Sequence, residues 1–280
     1  MVVKRVLRSL VPLITSLVVA GTGVATAPAS AAAEPKAPSS IAALGDSITR
    51  GFNACGWYLS CPSRSWSTGT NSTVNSHYLR ILATNPAISG NNHNNSRNGA
   101  KVADLNRQAQ LAVSQNAEYV TILIGANDAC TSTESGMTSV AAFEERFRTA
   151  MATLDAGLKK SNIFVASIPD IKRLWQIGKD SFAARTAWDL GNTCQSMLAS
   201  PRSTATADVE RRNRVQQRVI DYNTVMAKVC AEYRRCRFDE NAVFSYRFTL
   251  SQVSRWDYFH PNTAGQAVLA DITYPAGYGW

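Results

Sequence analysis

Three short apolar runs, separated by longer segments with helical periodicity, constrain the fold of this chain more than any other feature. They cover residues 41–44, 119–124 and 163–168, and none contains a charged residue. Strands that are apolar on both faces are typical of a parallel sheet covered by helices on both sides. We therefore predict a three-layer α/β/α fold with a central parallel sheet of about five strands.

Helical periodicity is present in five segments, 78–83, 102–113, 143–158, 209–233 and 264–272. Two polar stretches rich in Asn, Ser and Gly, 53–75 and 89–99, are predicted to be long loops. Strands thus alternate with helices along the chain, as in α/β proteins.

The first 33 residues have the order of a secretory signal peptide. Lys4, Arg5 and Arg8 precede an apolar stretch over 10–24, and small residues follow at 29–33. We predict cleavage between Ala31 and Glu34, a short leader over 34–39 and a single domain over 40–280. The alternative is an N-terminal membrane anchor, but the apolar stretch falls short of a bilayer span. We therefore expect a secreted, extracellular protein.

The chain is basic, with a formal net charge of +9, of which the signal peptide carries three positive charges. A basic surface can attract anionic lipids, acidic polymers or nucleic acid. The densest cluster, Arg211, Arg212, Arg214 and Arg218, is interpreted as the solvated face of a helix. No nucleic-acid-binding motif accompanies it, so we expect no nucleic-acid partner. The expected state is a monomer whose further partner is a lipid surface.

Six cysteines lie in the exported part, and an even number in an exported protein indicates disulfides. Metal binding is the alternative, but the chain has no C-x-x-C pair and only three histidines, so we expect no metal site. Pairs close in sequence form small loops easily. We therefore predict three sequential disulfides, Cys55–Cys61, Cys130–Cys194 and Cys230–Cys236.

Two polar residues follow the predicted strands directly, Ser47 after the first and Asn127 after the second. In parallel sheets, ligands bind at the carboxyl ends of the strands. A histidine is the usual base for a serine. His77 and His93 are interpreted as surface or loop residues. His260 follows Asp257 by three residues, so that the carboxylate could fold back onto the imidazole.

Four sequence blocks together resemble the SGNH hydrolases, the GDSL-type esterases and lipases. They are Gly-Asp-Ser-Ile-Thr at 45–49, Ser-Arg-Asn-Gly-Ala at 96–100, Gly-Ala-Asn-Asp at 125–128, and Asp257-x-x-His260. The first block alone is weak evidence, but four in the right order after a signal peptide are strong evidence. The region of Cys55, Cys61 and Trp66 is also similar to secreted bacterial lipases and phospholipases of this family. The resemblance implies the SGNH-hydrolase, flavodoxin-like version of the predicted fold.

The resemblance also implies a role for each matching residue. Ser47 would be the nucleophile, His260 its general base and Asp257 the residue that orients His260. The backbone N–H groups of Ser47 and Gly99 and the side-chain amide of Asn127 would form the oxyanion hole. Asp46 and Asp128, next to two of these residues, are interpreted as structural.

The predicted function is hydrolysis of carboxylic esters, without a cofactor or catalytic metal. Lipid substrates are favoured because many aromatic residues in or near loops could line an acyl groove, although they could equally close the core. They are Trp57, Tyr58, Trp66, Trp175, Trp188, Trp256, Tyr258 and Phe259. The alternative is a carbohydrate esterase that deacetylates polysaccharide. A non-catalytic binding module is a further alternative, but a binder has no need of the complete catalytic set.

Overall fold

Five short parallel strands form one sheet in the computed structural model, which describes residues 1–2 and 36–280. The strand order is β2-β1-β3-β4-β5. The strands are β1 (Ile41–Gly45), β2 (Asn92–Asn94), β3 (Tyr119–Leu123), β4 (Asn162–Val165) and β5 (Cys236–Phe238). The predicted sheet of about five parallel strands is therefore confirmed.

Eleven α-helices are present in the described part of the chain. They are α1 (Ser47–Arg50), α2 (His77–Thr84), α3 (Val102–Ser114), α4 (Ala126–Ala129), α5 (Val140–Gly157), α6 (Ile171–Gly178), α7 (Phe182–Leu190), α8 (Gln195–Leu198), α9 (Thr206–Ala231), α10 (Ala242–Ser245) and α11 (Thr263–Thr273). Short 3₁₀ turns cover Pro62–Arg64, Pro86–Ile88, Glu134–Gly136 and Leu250–Gln252.

Helices cover both faces of the sheet. Every residue of the neighbouring strands β1 and β3 is buried. Tyr119 and Thr121 of β3 bond to His77 at the start of α2 and to Ser67 on one face. Successive side chains of a strand point to opposite faces, so Val120 and Ile122 face the other layer, where α3, α5 and α9 pack side by side. The fold is therefore the predicted three-layer α/β/α arrangement.

Two of the five strands were not anticipated from the sequence. Strand β2 is the segment Asn-His-Asn within the stretch predicted to be a loop over 89–99, and that prediction was wrong. Its three residues pair with Ile41–Ala43 through backbone atoms, which a polar sequence can do at a sheet edge. Strand β5 has only three residues, including Arg237. The helices α6, α7 and α8 were not predicted either.

The predicted signal peptide over 1–33 lies almost entirely outside the described residues, as do Glu34 and Pro35 of the predicted leader. Of the helices in the described ranges, none combines the length and the apolar character needed to cross a bilayer.

Candidate active site

Ser47 lies where the first strand turns directly into a helix. It is the first residue of α1, two residues after the end of β1, and it is 6% exposed. Gly45 adopts φ +148°, and a Cβ at this position would lie 2.2 Å from the carbonyl oxygen of Leu123. Only glycine fits so close to the neighbouring strand. The side chain of Gln108 holds this turn by accepting from the N–H of Gly45 at 2.7 Å and donating to its carbonyl at 3.0 Å.

His260 lies on an irregular segment whose two ends are joined by backbone contacts. An antiparallel bridge joins Val253 to Pro261, and the N–H of Ser254 donates to the carbonyl of His260 at 2.8 Å. After the segment, Asn262 caps the N-terminus of α11. His260 is therefore fixed by backbone hydrogen bonds on both sides, although it belongs to no helix or strand.

Three side chains form a hydrogen-bonded chain between these two regions. Nε2 of His260 lies 2.7 Å from Oγ of Ser47, and Nδ1 of His260 lies 2.5 Å from Oδ2 of Asp257. The side chains of His260 and Asp257 are 14% and 11% exposed. Because the carboxylate can only accept, Nδ1 carries a proton and Nε2 is free to accept from the serine. This arrangement can remove the proton of Ser47 during nucleophilic attack.

Asn53 makes a further hydrogen bond to these three side chains, one that the sequence did not indicate. Its Nδ2 donates to Oδ2 of Asp257 at 2.6 Å, so that this oxygen accepts from both Asn53 and His260. Asn53 is buried and adopts φ +60°. The sequence placed it in a loop of many polar residues, and only the fold brings it to Asp257, 204 positions away.

Backbone donors hold the other oxygen of Asp257. Oδ1 accepts from the N–H of Phe259 at 2.9 Å and from the N–H of His260 at 3.1 Å. Burial acts to raise the pKa of Asp257, but the hydrogen bond and charge of His260 and these N–H groups outweigh it and lower the pKa below its usual value. Asp257 therefore stays ionised next to the imidazole.

The three predicted oxyanion donors face one cavity. Its walls contain Ser47, Phe52, Asn98, Gly99, Asn127, Cys130, Thr193, Cys194, Phe259 and His260, and its empty volume is about 600 Å³. We call it the catalytic cavity. In the described part of the chain, the N–H groups of Ser47 and Gly99 donate to no protein acceptor. One amide hydrogen of Asn127 donates to the carbonyl of Ala100 at 3.0 Å, which leaves the second hydrogen for another acceptor.

The two aspartates beside these residues hold backbone. Asp46 caps α1 by accepting from the N–H of Ile48 at 2.9 Å, and burial raises its pKa to about 7. Asp128 accepts from the N–H of Val102 at 2.9 Å and from the hydroxyl of Thr138 at 2.7 Å. Burial also raises the pKa of Asp128. These contacts fit structural roles for both residues.

Two interpretations of histidine and arginine side chains need correction. His77 is fully buried in the core, not at the surface, and its ring bonds to Tyr119 and Thr273. Arg212 is 2% exposed, whereas the sequence placed it on a solvated helix face. Its guanidinium lies 4.5 Å from the ring centre of Trp175 and donates to the carbonyl of Ser203. Both residues are buried because polar or aromatic partners surround them.

The three predicted cysteine pairs are present as disulfides, Cys55–Cys61, Cys130–Cys194 and Cys230–Cys236. The first closes a small loop that follows Asn53. The second contributes both cysteines to the wall of the catalytic cavity. Two of the three disulfides therefore steady the surroundings of Ser47 and His260.

A second pocket, here called the apolar pocket, is lined in part by residues that are adjacent in sequence to Ser47, Asn127 and His260. It is lined by Ile48, Ala126, Pro169, Asp170, Ile171, Leu174, Phe248, Gln252, Val253, Phe259 and Pro261. Phe259 lines both this pocket and the catalytic cavity. Of the eight aromatic residues predicted to line an acyl groove, Phe259 alone borders this pocket. Trp66 and Trp188 are buried in the core, and Trp57, Tyr58 and Trp256 are exposed. Trp175 packs against Arg212, and Tyr258 lines neither pocket.

Comparison with solved structures finds several similar proteins, and the two with TM-scores of 0.51 and 0.50 support the fold described above. An alpha/beta hydrolase enzyme from the metagenome of Lake Arreo, Spain, is 20% identical, with 85% of this chain and 94% of that chain covered and a TM-score of 0.51. The lipase Lip_vut3 from a goat rumen metagenome is 12% identical, with 85% and 97% covered and a TM-score of 0.50. Phospholipase A1 from Streptomyces albidoflavus NA297 is 17% identical, with 85% and 99% covered and a TM-score of 0.48.

No curated protein sequence matches the chain. A match to a known family nevertheless covers most of it, from residue 41 to residue 273, under the description GDSL-like Lipase/Acylhydrolase. This match includes every residue of the catalytic cavity, and we conclude that the chain belongs to the GDSL-like lipase/acylhydrolase family.

Proposed function

We propose that this hydrolase cleaves carboxylic esters of lipids outside the cell, with Ser47 as nucleophile and His260 as general base. The observation that carries the proposal is the hydrogen-bonded chain Asp257–His260–Ser47, which ends in the catalytic cavity. His260 takes the proton of Ser47 as its oxygen attacks the ester carbonyl. The protonated ring then gives this proton to the leaving alcohol, and Asp257 stabilises the ring while it is charged.

The negative charge that develops on the carbonyl oxygen needs donors in fixed positions. The N–H groups of Ser47 and Gly99 and the amide of Asn127 supply them from three separate segments of the chain. The resulting acyl group remains on Ser47 until a water molecule, activated by His260, releases it as the carboxylic acid. A neutral amide suits this role because it donates without titrating.

Lipid substrates are supported by the difference between the two pockets that adjoin the catalytic cavity. The apolar pocket would hold an acyl chain. The other is a polar pocket, which shares Cys130 and Cys194 with the catalytic cavity and is also lined by Lys101, Thr131, Ser132, Thr133, Gly136 and Asn192. An ester with an apolar acyl chain and a polar leaving group fits this asymmetry. The acetyl group of a polysaccharide would leave the apolar pocket empty.

The test is a series of acetyl, octanoyl and palmitoyl aryl esters, together with phosphatidylcholine and acetylated xylan. We expect octanoyl to exceed acetyl esters in kcat/KM, and phosphatidylcholine to be cleaved. Leu174→Trp would fill the apolar pocket and should lower kcat/KM for the octanoyl ester by about tenfold, with the acetyl ester as internal control. Preference for acetyl esters and acetylated xylan would instead identify a carbohydrate esterase, and no turnover of any ester would identify a binding module.

Secretion is part of the proposal. Residues 1–33 would be removed between Ala31 and Glu34, and three disulfides in the remaining chain fit an oxidising compartment. Sequencing the N-terminus of the protein recovered from the culture medium tests this. A mature chain that begins at Met1 and stays with the cells would contradict it.

A further inference from the structure

Four large apolar side chains are exposed together next to the catalytic cavity. Trp57, Tyr58, Leu59 and Trp256 are 66%, 65%, 48% and 50% exposed. The first three are consecutive, and Nε1 of Trp256 donates to the carbonyl of Gly56 at 2.7 Å, which joins the fourth to them. We call these four residues the apolar rim. Contiguous exposed apolar surface marks an interaction site, whereas single exposed apolar residues are ordinary.

The loop that carries the rim is fixed, so the exposure of its side chains is built into the fold. The disulfide Cys55–Cys61 closes the loop, and an antiparallel bridge joins Phe52 to Ser60. Inside it, the N–H of Asn53 donates to the carbonyl of Leu59 at 2.9 Å. These contacts fix the backbone of the loop, on which the side chains of Trp57 and Leu59 are exposed to solvent.

The rim is connected directly to the catalytic residues. The ring of Tyr58 packs edge-on against Phe52, with centroids 5.2 Å apart, and Phe52 packs edge-on against His260 at 5.0 Å. Phe52 also lines the catalytic cavity. A surface that binds the rim would therefore lie beside the cavity through which an ester reaches Ser47.

The two segments that carry the rim are poor in acidic residues and contain an exposed arginine. The sequence contains no Asp or Glu between residues 47 and 103, and this stretch includes the whole loop. Between 241 and 270 the only acidic residue is Asp257, which is buried. Arg255, next to Trp256, is exposed. Tryptophan and tyrosine are enriched where proteins meet the headgroup region of membranes, and nearby cations favour anionic lipids.

We propose that the apolar rim docks the enzyme onto a lipid–water interface that carries anionic headgroups, with the catalytic cavity turned toward the lipid. The inference rests on the proposed function in that the lipid surface would supply the substrate. The chemistry of the rim favours this partner over a protein, because a tryptophan–tyrosine–leucine tip flanked by arginine suits a fluid interface with no fixed shape.

The test measures binding to vesicles in a Ser47→Ala background, so that no lipid is consumed. The probe is vesicles of phosphatidylcholine containing phosphatidylglycerol, separated from free protein by sedimentation. Trp57→Ser should weaken binding by about tenfold and Leu59→Ser by about threefold. The matched control is Leu111→Ser, since Leu111 is 44% exposed on α3, outside the rim, and this variant should bind like the parent. Arg255→Gln should weaken binding to these vesicles but not to vesicles of pure phosphatidylcholine.

The proposal is overturned if Trp57→Ser binds like the parent, or if Leu111→Ser loses as much binding as Leu59→Ser. It is also overturned if the protein without vesicles sediments as a dimer that Trp57→Ser dissociates, because the rim would then be a surface between two copies. A second assay distinguishes failure of the docking proposal from failure of the proposed function. It measures turnover of a soluble butyryl ester by Trp57→Ser with Ser47 intact. This activity should equal that of the wild type, and its absence in both proteins would contradict the proposed function but not the docking.

Discussion

Two histidines lie in hydrogen-bonded clusters of this protein, and their surroundings make them opposite kinds of residue. His77 bonds through Nδ1 to the hydroxyl of Tyr119 at 3.0 Å and through Nε2 to Oγ1 of Thr273 at 2.8 Å. Because the Thr273 hydroxyl donates to the carbonyl of Leu269, its oxygen accepts from His77, which carries its proton on Nε2. His260 carries its proton on Nδ1, facing Asp257.

The partners decide whether each ring can become charged. His77 is fully buried between hydroxyls, and burial, with a contribution from the nearby Arg80 charge, lowers its pKa to about 3. Among the described residues, no carboxylate hydrogen-bonds to its ring, whose partners are Tyr119 and Thr273. His260 has the carboxylate of Asp257 on one side and a cavity on the other. We therefore expect a histidine to act as a base here only where a carboxylate partner and access to substrate occur together.

The largest expected effect is a loss of activity in His260→Ala that His77→Ala should not share. His260→Ala should lower kcat on a soluble aryl ester by roughly 10³ or more, as should Ser47→Ala, with little change in stability. His77→Ala should destabilise the fold by about 2–4 kcal/mol, because it leaves a cavity and orphaned hydroxyls, and kcat of the folded protein should stay near that of the wild type. Urea unfolding and steady-state kinetics measure both quantities. Loss of kcat in folded His77→Ala would break the distinction.

Asn127 lines the catalytic cavity, and one hydrogen of its amide remains for another acceptor. Asn127→Ala should lower kcat by about 10² to 10³ with KM little changed, because the amide acts on the charge that develops during the reaction. Asn98→Ala is the matched control, since Asn98 lines the same cavity but donates to Oγ of Ser60. A rise in KM with unchanged kcat would make Asn127 a substrate-binding residue instead.

Asp257 is the carboxylate partner of His260. Its removal should leave His260, like His77, without a hydrogen-bonded carboxylate to stabilise the charged ring. Asp257→Ala should lower kcat by roughly 10 to 10³, less than His260→Ala, because the bridge between Val253 and Pro261 still holds the segment. Asp257→Asn should be at least as damaging, since its amide can donate to Nδ1 and impose the wrong tautomer. Assays at pH 8 compare the two. Full activity in both variants would reduce the catalytic unit to Ser47 and His260.

A smaller effect is expected from Asn53, which donates a hydrogen bond to Asp257, the partner of His260. Asn53→Gly tolerates φ +60° but removes the donor to Asp257, so kcat should fall by about threefold to tenfold. With one donor fewer, the carboxylate attracts the charged ring more strongly, and the acid limb of kcat/KM should move to higher pH.

The control for Asn53→Gly is Asn241→Gly, which also replaces a left-handed asparagine, at φ +63° and outside the site. Asn53→Asp, which adds a second negative charge, should move the limb further in the same direction. A lower Tm without any shift of the limb in either Asn53 variant would mean that Asn53 acts only on folding.

The last expected effect concerns the pH dependence of stability at His77. Its pKa of about 3 in the folded state lies below the ordinary value of 6.5, so the unfolded chain takes up the proton first. The stability that neutral His77 contributes is present above pH 6.5 and is lost as pH falls toward 3. The destabilisation caused by His77→Gln should therefore shrink by about 2 kcal/mol between pH 7 and pH 5. Asp46, whose pKa is raised, contributes the opposite pH dependence, but equally in the wild type and in His77→Gln, so its contribution cancels in the difference between them. A difference in unfolding free energy that is the same at pH 7 and pH 5 would contradict the account.

Short-range patterns made much of the architecture predictable. The runs that became β1, β3 and β4 are apolar on both faces, and helices α3, α5, α9 and α11 have clear periodicity. Strand β2 could not be predicted because its pairing uses only backbone atoms, and its side chains are Asn, His and Asn. A chain of three polar residues carries no periodicity that separates strand from loop.

Of the residues that line the catalytic cavity, Ser47, Gly99, Asn127 and His260 were recognisable from local blocks, whereas the residues that support them were not. Gln108 lies 63 positions from Gly45, and Asn53 lies 204 positions from Asp257. Nothing in the sequence near either residue indicates these contacts, because they depend on how separate segments meet. His77 was misplaced for the same reason, since its partners Tyr119 and Thr273 are distant in sequence.

The central claim is that His260, and not the buried His77, activates Ser47. A fluorophosphonate, which reacts only with an activated serine and stays bound to it, measures this directly. After incubation and digestion, mass spectrometry should find one phosphonate, on the peptide containing Ser47. The rate of labelling should fall by roughly 10³ in His260→Ala and remain near that of the wild type in folded His77→Ala. Labelling of a different residue, or equal rates in wild type and His260→Ala, would contradict the account.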